Sequence, residues 1–335
     1  MTVTIKDVAK KANVSIATVS RILNHKPGFS KETEDKVLQV IEELGYYPNG
    51  VARGLISKRT HTIGVLVPEI SSMLMSDFIS GMEQVTHAYG SSVIVCHTEQ
   101  QGQKTTQYLQ LLQEKQVDGI VFTSEVLLQE HYQLMKDMGK PIVLLSTESY
   151  DYPVPYVKVD DRRAAYSATE YLIQNGHKKI GMVSGSREDS IAGQPRIDGF
   201  TAAMQAHDLP VTETSIVPTG FTFEEGVKGF TKLIGQFPDI TAVFAASDEA
   251  ALGVLSVAYQ MNIKVPEQLS VIGYDNLRMA EMSTPPLTTV AQPSVEMGKK
   301  AVEMIFQMLG THKTVESRIF PHTVIERQSV QSLTT

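Results

Sequence analysis

Near the start of the chain apolar residues recur at spacings of three and four; further on they gather in short unbroken runs. The first pattern belongs to amphipathic helices, the second to strands covered on both faces. Ile5, Val8, Ala9 and Ala12 share one face of a helix predicted over 5–11. Asn13 interrupts it, and asparagine tolerates a left-handed turn. Ser15 can cap a second helix, predicted from Ile16 to Leu23. A third begins near Ser30, whose spacing to Thr33 and Glu34 suits a cap. It carries Val37, Val40, Ile41 and Leu44 as its stripe and stops at Gly45.

Two short helices joined by a tight turn and braced by a third make a helix-turn-helix unit. The second helix of such a unit fits the major groove of DNA, where each base pair displays a distinct hydrogen-bonding pattern. Its exposed face is predicted to carry Ile16, Ala17, Ser20 and Arg21. Arg21 can pair bidentately with guanine, for about 1–3 kcal/mol of discrimination, or can simply touch phosphate. Ile16 and Ala17 offer only apolar contacts, as to thymine methyls. Thr18 and Ser20 suit phosphate oxygens, as do Lys6, Lys10 and Lys11 on the first helix.

After residue 61 the runs Thr62–Val67, Ser92–Val95, Gly119–Phe122, Pro141–Leu145, Lys179–Val183, Ala242–Ala245 and Leu269–Tyr274 read as strands. Helical patterns over 78–89, 105–115, 163–175, 197–207, 250–261 and 294–309 separate them. Strand and helix in alternation imply parallel sheets with helices on both sides, and about ten strands imply two sheets.

The net charge of −7 looks wrong for a DNA binder until it is divided. Residues 1–60 hold ten Lys or Arg against six Asp or Glu, and the remainder 20 against 31. A basic head on an acidic body suits nucleic-acid binding by the head alone. No apolar run is long enough to span a membrane, and the N-terminus has no signal-peptide core, so a cytoplasmic location is expected. The single cysteine, Cys96, lies in an apolar run and reads as a buried structural thiol. Histidine and cysteine spacings suit no metal site, and no phosphate loop or nucleophile elbow is present, so neither a metal, a cofactor nor enzymatic turnover is expected. Ser184-Gly185-Ser186 after a strand reads as a loop without chemistry.

The segments Thr4–Ala9 and Val14–Asn24 resemble the headpiece of LacI/GalR-type bacterial transcriptional regulators, and Gly45–Leu55 resembles the hinge of that family. Within the family, the catabolite-control and sugar-operon regulators of Gram-positive bacteria look most similar. The resemblance implies an all-α helix-turn-helix headpiece over 1–47 and a hinge helix and linker over 48–61. An α/β two-lobe core like that of periplasmic binding proteins, with parallel sheets, then covers 62–335. Lobe one is expected over 62–160 and 291–320, and lobe two over 161–290 and 321–335. DNA-binding roles are implied for Thr4, Lys6, Ser15, Ile16, Ala17, Thr18, Ser20, Arg21, Asn24, Asn49, Ala52, Arg53 and Leu55, the last as a wedge between central base pairs. Gly50 and Gly54 each cost about 0.8–1 kcal/mol against helix, so the hinge is expected to order only on DNA. A two-fold homodimer would read a near-palindromic operator.

For the core, the resemblance marks Arg196 and Asp275 as ligands of sugar hydroxyls and Phe221 as the aromatic against the ring. Ser71, Met73, Ser146 and Ser247 complete the expected effector site. Plainer readings stand beside these: Asp275 as a turn residue, Phe221 as core, and Arg196 paired with Asp198 or another carboxylate of its lobe. Ser146 and Ser247 stand where aspartate and asparagine are often found, which leaves a sugar, a glycoside or a sugar phosphate open as the effector. Control by a phosphorylated carrier-protein corepressor is the alternative within regulation. A sugar-binding protein without a DNA role is the alternative outside it.

Overall fold

A computed structural model describes residues 3–23, 27–46, 59–99 and 102–333. The chain divides into two compact units, Met1–His61 and Thr62–Thr335. Most of the hinge segment lies outside the described residues, as do Asn24, Asn49, Ala52, Arg53 and Leu55.

The first unit holds α1 (Ile5–Ala12), α2 (Ile16–Leu23) and α3 (Lys31–Leu44). Local chemistry sets each boundary. The Thr4 amide and hydroxyl both donate to the Asp7 carboxylate, closing the start of α1. Asn13 ends it in the left-handed conformation at φ 55°. Ser15 Oγ accepts from Thr18 N at 3.0 Å, and Ser30 Oγ from Thr33 N at 3.2 Å, so both serines cap as the sequence predicts. Gly45 takes φ 59° past the end of α3. The helices close over Val8, Ala9, Ala12, Val19, Ile22, Val37 and Val40, a small core with no buried charge among these residues.

The second unit runs β1 (Thr62–Val67), α4 (Met73–Ala88), β2 (Ser92–His97), α5 (Thr105–Glu114), β3 (Gly119–Thr123), α6 (Gln129–Asp137), β4 (Ile142–Leu145) and β5 (Tyr156–Val159). There follow α7 (Asp161–Gln174), β6 (Ile180–Ser184), α8 (Gly193–Ala206), β7 (Ile216–Pro218), α9 (Phe223–Gln236), β8 (Ala242–Ala245) and α10 (Asp248–Gln260). The remainder is β9 (Ser270–Asp275), α11 (Arg278–Met282), β10 (Thr288–Ala291), α12 (Ser294–Thr311), β11 (Arg318–Phe320) and β12 (Thr323–Ile325).

Two six-stranded sheets result, ordered β11-β5-β4-β3-β1-β2 and β12-β10-β9-β8-β6-β7. Every pairing is parallel except β10 with β12. The chain passes between the sheets three times: after β5, after β10, and between β11 and β12. α12 lies on α4 at backbone contact. A Cβ on Gly298 would sit 2.2 Å from Phe78 O, and one on Gly81 would sit 2.0 Å from Val295 O. Only glycine permits that approach, so the two helices form one stiff layer of lobe one.

Sequence reading missed α6, α9 and α11 and five of the short strands. α9 carries Gly226 and Gly229, which weaken a helical signature. Gly226 packs against the Ala250 backbone, where a Cβ would meet Ala250 O at 2.2 Å. β5 contains the buried Lys158, whose ammonium reaches Glu148 at 2.7 Å, so it does not read as an apolar run. The segment after β1, which holds the expected effector residues Ser71 and Met73, enters α4 at Met73.

Candidate functional site

Because the strands are parallel, their carboxyl ends point into one cleft from both lobes. A cavity of about 220 Å³ lies there. That is smaller than the roughly 300–1,000 Å³ of drug-sized ligand sites, and suits a small ligand. Glu69 after β1, Ser124 after β3 and Ser146 after β4 face it from lobe one, with Ser72, Leu74 and Met75 at the head of α4. Arg196, Phe221, Ser247, Glu249 and Asp275 face it from lobe two. Ser124, Ser146 and Asp275 hold φ of 52°, 55° and 113°, a cluster of left-handed non-glycine residues around a single cavity. Such conformations persist only where the surroundings impose them.

Arg196 is 5% exposed. Its Nε and Nη2 donate to Asp161 Oδ1 at 3.0 and 2.8 Å, and Nη1 donates to the Ala246 carbonyl. The guanidinium lies over the Tyr274 ring at 3.7 Å, while Tyr274 OH donates to the same Asp161 oxygen at 3.2 Å. The carboxylate partner is therefore Asp161, not Asp198, which accepts from Gln194 instead. The remaining N–H groups of the fork are not consumed by these bonds, and the residue lines the cavity. Phe221 lies 5.4 Å from the guanidinium. Its ring occupies the bare face of Gly185, where a Cβ would be 2.3 Å from Cζ.

Ser247 spends its hydroxyl internally. It donates to Phe221 O at 2.5 Å and accepts from Ala250 N at 3.0 Å, capping α10 and fixing the Phe221 loop. It lines the cleft, but its role there is to hold the aromatic. Ser71 and Met73 do not line the cavity. Ser71 turns its amide and hydroxyl to Glu69 Oε1, at 3.0 and 2.7 Å. The helix that starts at Met73 presents Ser72, Leu74 and Met75 to the cleft in its place.

Asp275 accepts from Gln292 Nε2 at 2.6 Å. Burial holds its carboxyl well above the usual range; the neighbouring Asp248 adds to this and Arg196 opposes it. Asp248 is pushed up to about 7, chiefly by burial, although Thr289 Oγ1 (2.6 Å) and Leu277 N (2.7 Å) donate to it. Glu249 is also raised, by burial first. The Ser72 hydroxyl and Met73 amide of the opposite lobe stabilise its charge, while Glu69 and Glu224 work against it. Sequence reading missed Asp161, Gln292, Asp248, Glu249 and Glu69. Their roles depend on partners distant along the chain, and no local motif marks them.

In the first unit Lys6, Ser15, Ile16, Ala17 and Arg21 are exposed, and Thr18 and Ser20 are half-buried. Ile16 is 45% exposed, uncommon for an isoleucine with a purely structural role. Thr4 is exposed, with its amide and hydroxyl engaged by Asp7. Lys11 reaches Glu43 at 2.9 Å. Cys96 is buried, and its thiol is pushed up to about 11 by burial.

A two-lobed α/β cleft on the same chain as a helix-turn-helix unit defines a DNA-binding regulator that answers to a ligand. The family profile described as bacterial regulatory proteins, lacI family, matches residues 4–49. The profile of periplasmic binding proteins and the sugar binding domain of the LacI family matches residues 60–328. The chain belongs to the LacI family of bacterial transcriptional regulators and carries its effector-binding domain. It is 38% identical to the catabolite control protein A of Priestia megaterium, over 99% of this chain and 100% of that one. It is similar to a complex of the transcriptional regulator CelR with cellobiose, at 29% identity, TM-score 0.75, and coverage of 98% and 99%. The fold also matches a Lac repressor dimer bound to operator and an anti-inducer, with TM-score 0.88 at 24% identity over 99% and 100% of the chains. Among the described residues no helix is long and apolar enough to cross a membrane.

Proposed function

We propose that the protein is a homodimeric repressor of carbohydrate-utilisation genes, released from or fixed on a near-palindromic operator by an uncharged sugar in the inter-lobe cleft. One observation carries the ligand assignment. Arg196, Asp275 and Phe221 face one small cavity that also holds Glu69, Asp189 and Glu249. A guanidinium fork and carboxylates suit vicinal hydroxyls, and an aromatic face suits the C–H groups of a pyranose. Four carboxylates against one arginine, itself already paired with Asp161, disfavour a phosphate. A sugar phosphate is therefore the weaker reading. The cellobiose complex of a similar regulator supports a neutral sugar.

α2 supplies the DNA-reading surface, with Arg21 on guanine and Ile16 and Ala17 on apolar base edges. A phosphorylated carrier protein as corepressor would need free cations on lobe one. On α12, Lys299 pairs with Glu296 at 2.7 Å and Lys300 with Glu303 at 3.5 Å.

The test uses the full chain and a duplex selected by it from a random pool. Cellobiose, glucose, ribose and glucose 6-phosphate are titrated while thermal unfolding and duplex affinity are followed. A neutral sugar is expected to raise the melting temperature and change duplex affinity by about 5–150-fold. The reading fails if the phosphate ester alone acts, or if no sequence is selected.

A further inference from the structure

We infer that Asp161 and Gln292 are positioning residues that couple the sugar-gripping side chains to two of the three inter-lobe crossovers. The inference rests on the cleft being the effector site proposed above. Asp161 opens α7 directly behind the first crossover, where Asp160 caps the helix by accepting from Arg163 N at 2.9 Å. Its Oδ1 is the anchor of Arg196, through two N–H groups, and of the Tyr274 hydroxyl. Gln292 is the second crossover itself, the residue between β10 and Pro293 at the head of α12. It holds Asp275 by its side-chain amide at 2.6 Å and by its backbone N–H, which donates to Asp275 O at 3.3 Å. Arg196 and Asp275 are thus each held from behind by a residue at a crossover.

The consequence is mechanical. A sugar hydroxyl that bonds the free N–H groups of Arg196 or the second oxygen of Asp275 pulls on side chains that Asp161 and Gln292 already hold. A shift of Gln292 passes through Pro293 into α12, which Gly81 and Gly298 lock to α4. Lobe one then moves as a layer rather than side chain by side chain. Among the described residues no group donates to the buried Oε1 of Gln292. An unmade bond at a buried acceptor costs free energy that a second arrangement can recover. A ligand changes the lobe arrangement only through such differential contacts. The third crossover is tied differently: His322 bonds Ser167 of α7 at 2.9 Å and feels the charges of Asp160 and Asp161, but neither His322 nor Ser167 lines the cavity.

The test measures the ratio of duplex dissociation constants with and without saturating sugar, the sugar being whichever of cellobiose, glucose or ribose acts on the native protein. Gln292→Leu, Asp161→Asn and the third-crossover control Ser167→Ala are compared, with sugar binding followed by calorimetry. Expected are duplex binding without sugar as in the native chain, retained sugar binding at saturation, and a ratio that falls from at least about fivefold to below about twofold. Ser167→Ala keeps the native ratio. Gln292→Asn, which keeps the amide on a shorter arm, recovers part of the ratio that Gln292→Leu loses. A residue that only stabilised the fold would move the melting temperature and leave the ratio alone. If Asp161→Asn fails to fold, Gln292→Leu decides. A native protein that responds to sugar, beside a Gln292→Leu that responds equally, overturns the inference and leaves the effector reading intact. A native protein deaf to all three sugars removes both.

Discussion

The two lobes share one strand order and divide the work unequally. β2-β1-β3-β4-β5-β11 in lobe one maps strand for strand on β7-β6-β8-β9-β10-β12 in lobe two. Lobe two concentrates buried ionisable groups: Arg196, Asp161, Asp248 and Asp275 are all at most 5% exposed. Lobe one also buries Asp118, His131 and Lys158, but none of them lines the cleft, and it answers with an apolar layer that joins Met75, Phe78 and Met82 of α4 with Met297, Ala301 and Met304 of α12. Fold alone therefore does not decide which half grips a ligand. The distribution of buried charge does. Lobe two is built to hold and to discriminate, and lobe one to transmit a displacement.

That contrast can be broken at several points. The largest effect is expected from Arg196→Ala, which strands the Asp161 carboxylate in a buried site. Removing one partner of a buried pair costs about 3–5 kcal/mol. Urea unfolding should show it together with loss of sugar binding; a cost below about 1 kcal/mol would mean the pair is solvated and the contrast between lobes overstated. Next is Gly298→Ala on the lobe-one side. Its new methyl meets the Phe78 carbonyl, a backbone atom that cannot step aside. The expected cost is about 1–3 kcal/mol. Lobe one would also transmit less, so the sugar response of the DNA affinity should weaken while calorimetric sugar affinity is kept.

Ser247→Ala follows. It removes the cap of α10 and the tether of Phe221, for about 1 kcal/mol. Sugar affinity should fall with stability, and a fall in stability alone would make Ser247 a cap and nothing more. The smallest effect is a pH dependence. Asp248 titrates near 7 in the folded chain, well above its unfolded value. Such a carboxyl contributes stability at low pH that is lost as pH rises through 7. Between pH 6 and 8 the native melting temperature should fall relative to that of Asp248→Asn by about 2–4 °C. The buried His131, His177 and His322, all held below their usual range by burial, occur in both proteins and cancel in the difference. A parallel pair of pH curves would show that Asp248 ionises freely.

How much of this was legible in the sequence differed by region. The helix-turn-helix unit was readable almost to the residue because Ser15, Ser30, Asn13 and Gly45 act within a turn of where they stand. Central strands were readable as apolar runs. Edge strands β7, β11 and β12, three residues each, are too short to show a period. Of the expected effector residues, Ser146, Arg196, Phe221, Ser247 and Asp275 meet at one cavity, while Ser71 and Met73 do not line it. What composition could not reveal was the partner behind each of them. Asp161 lies 35 positions from Arg196, and Gln292 17 from Asp275. The packing of α7 on α8 joins the first pair, and the register of β9 with β10, which sets Ala291 beside Asp275, joins the second.

Cys96 turns this architecture into an instrument. The one sulfhydryl of the chain lies on β2, buried in a cluster with Leu66 of β1 and Leu109 and Leu112 of α5, with a deprotonation so suppressed that alkylating reagents meet almost no thiolate. The intact protein should therefore ignore such a reagent, and each modified molecule marks an excursion in which lobe one came apart. Reaction rates with and without sugar, or with and without duplex, would clock those excursions on the native chain, with no label attached.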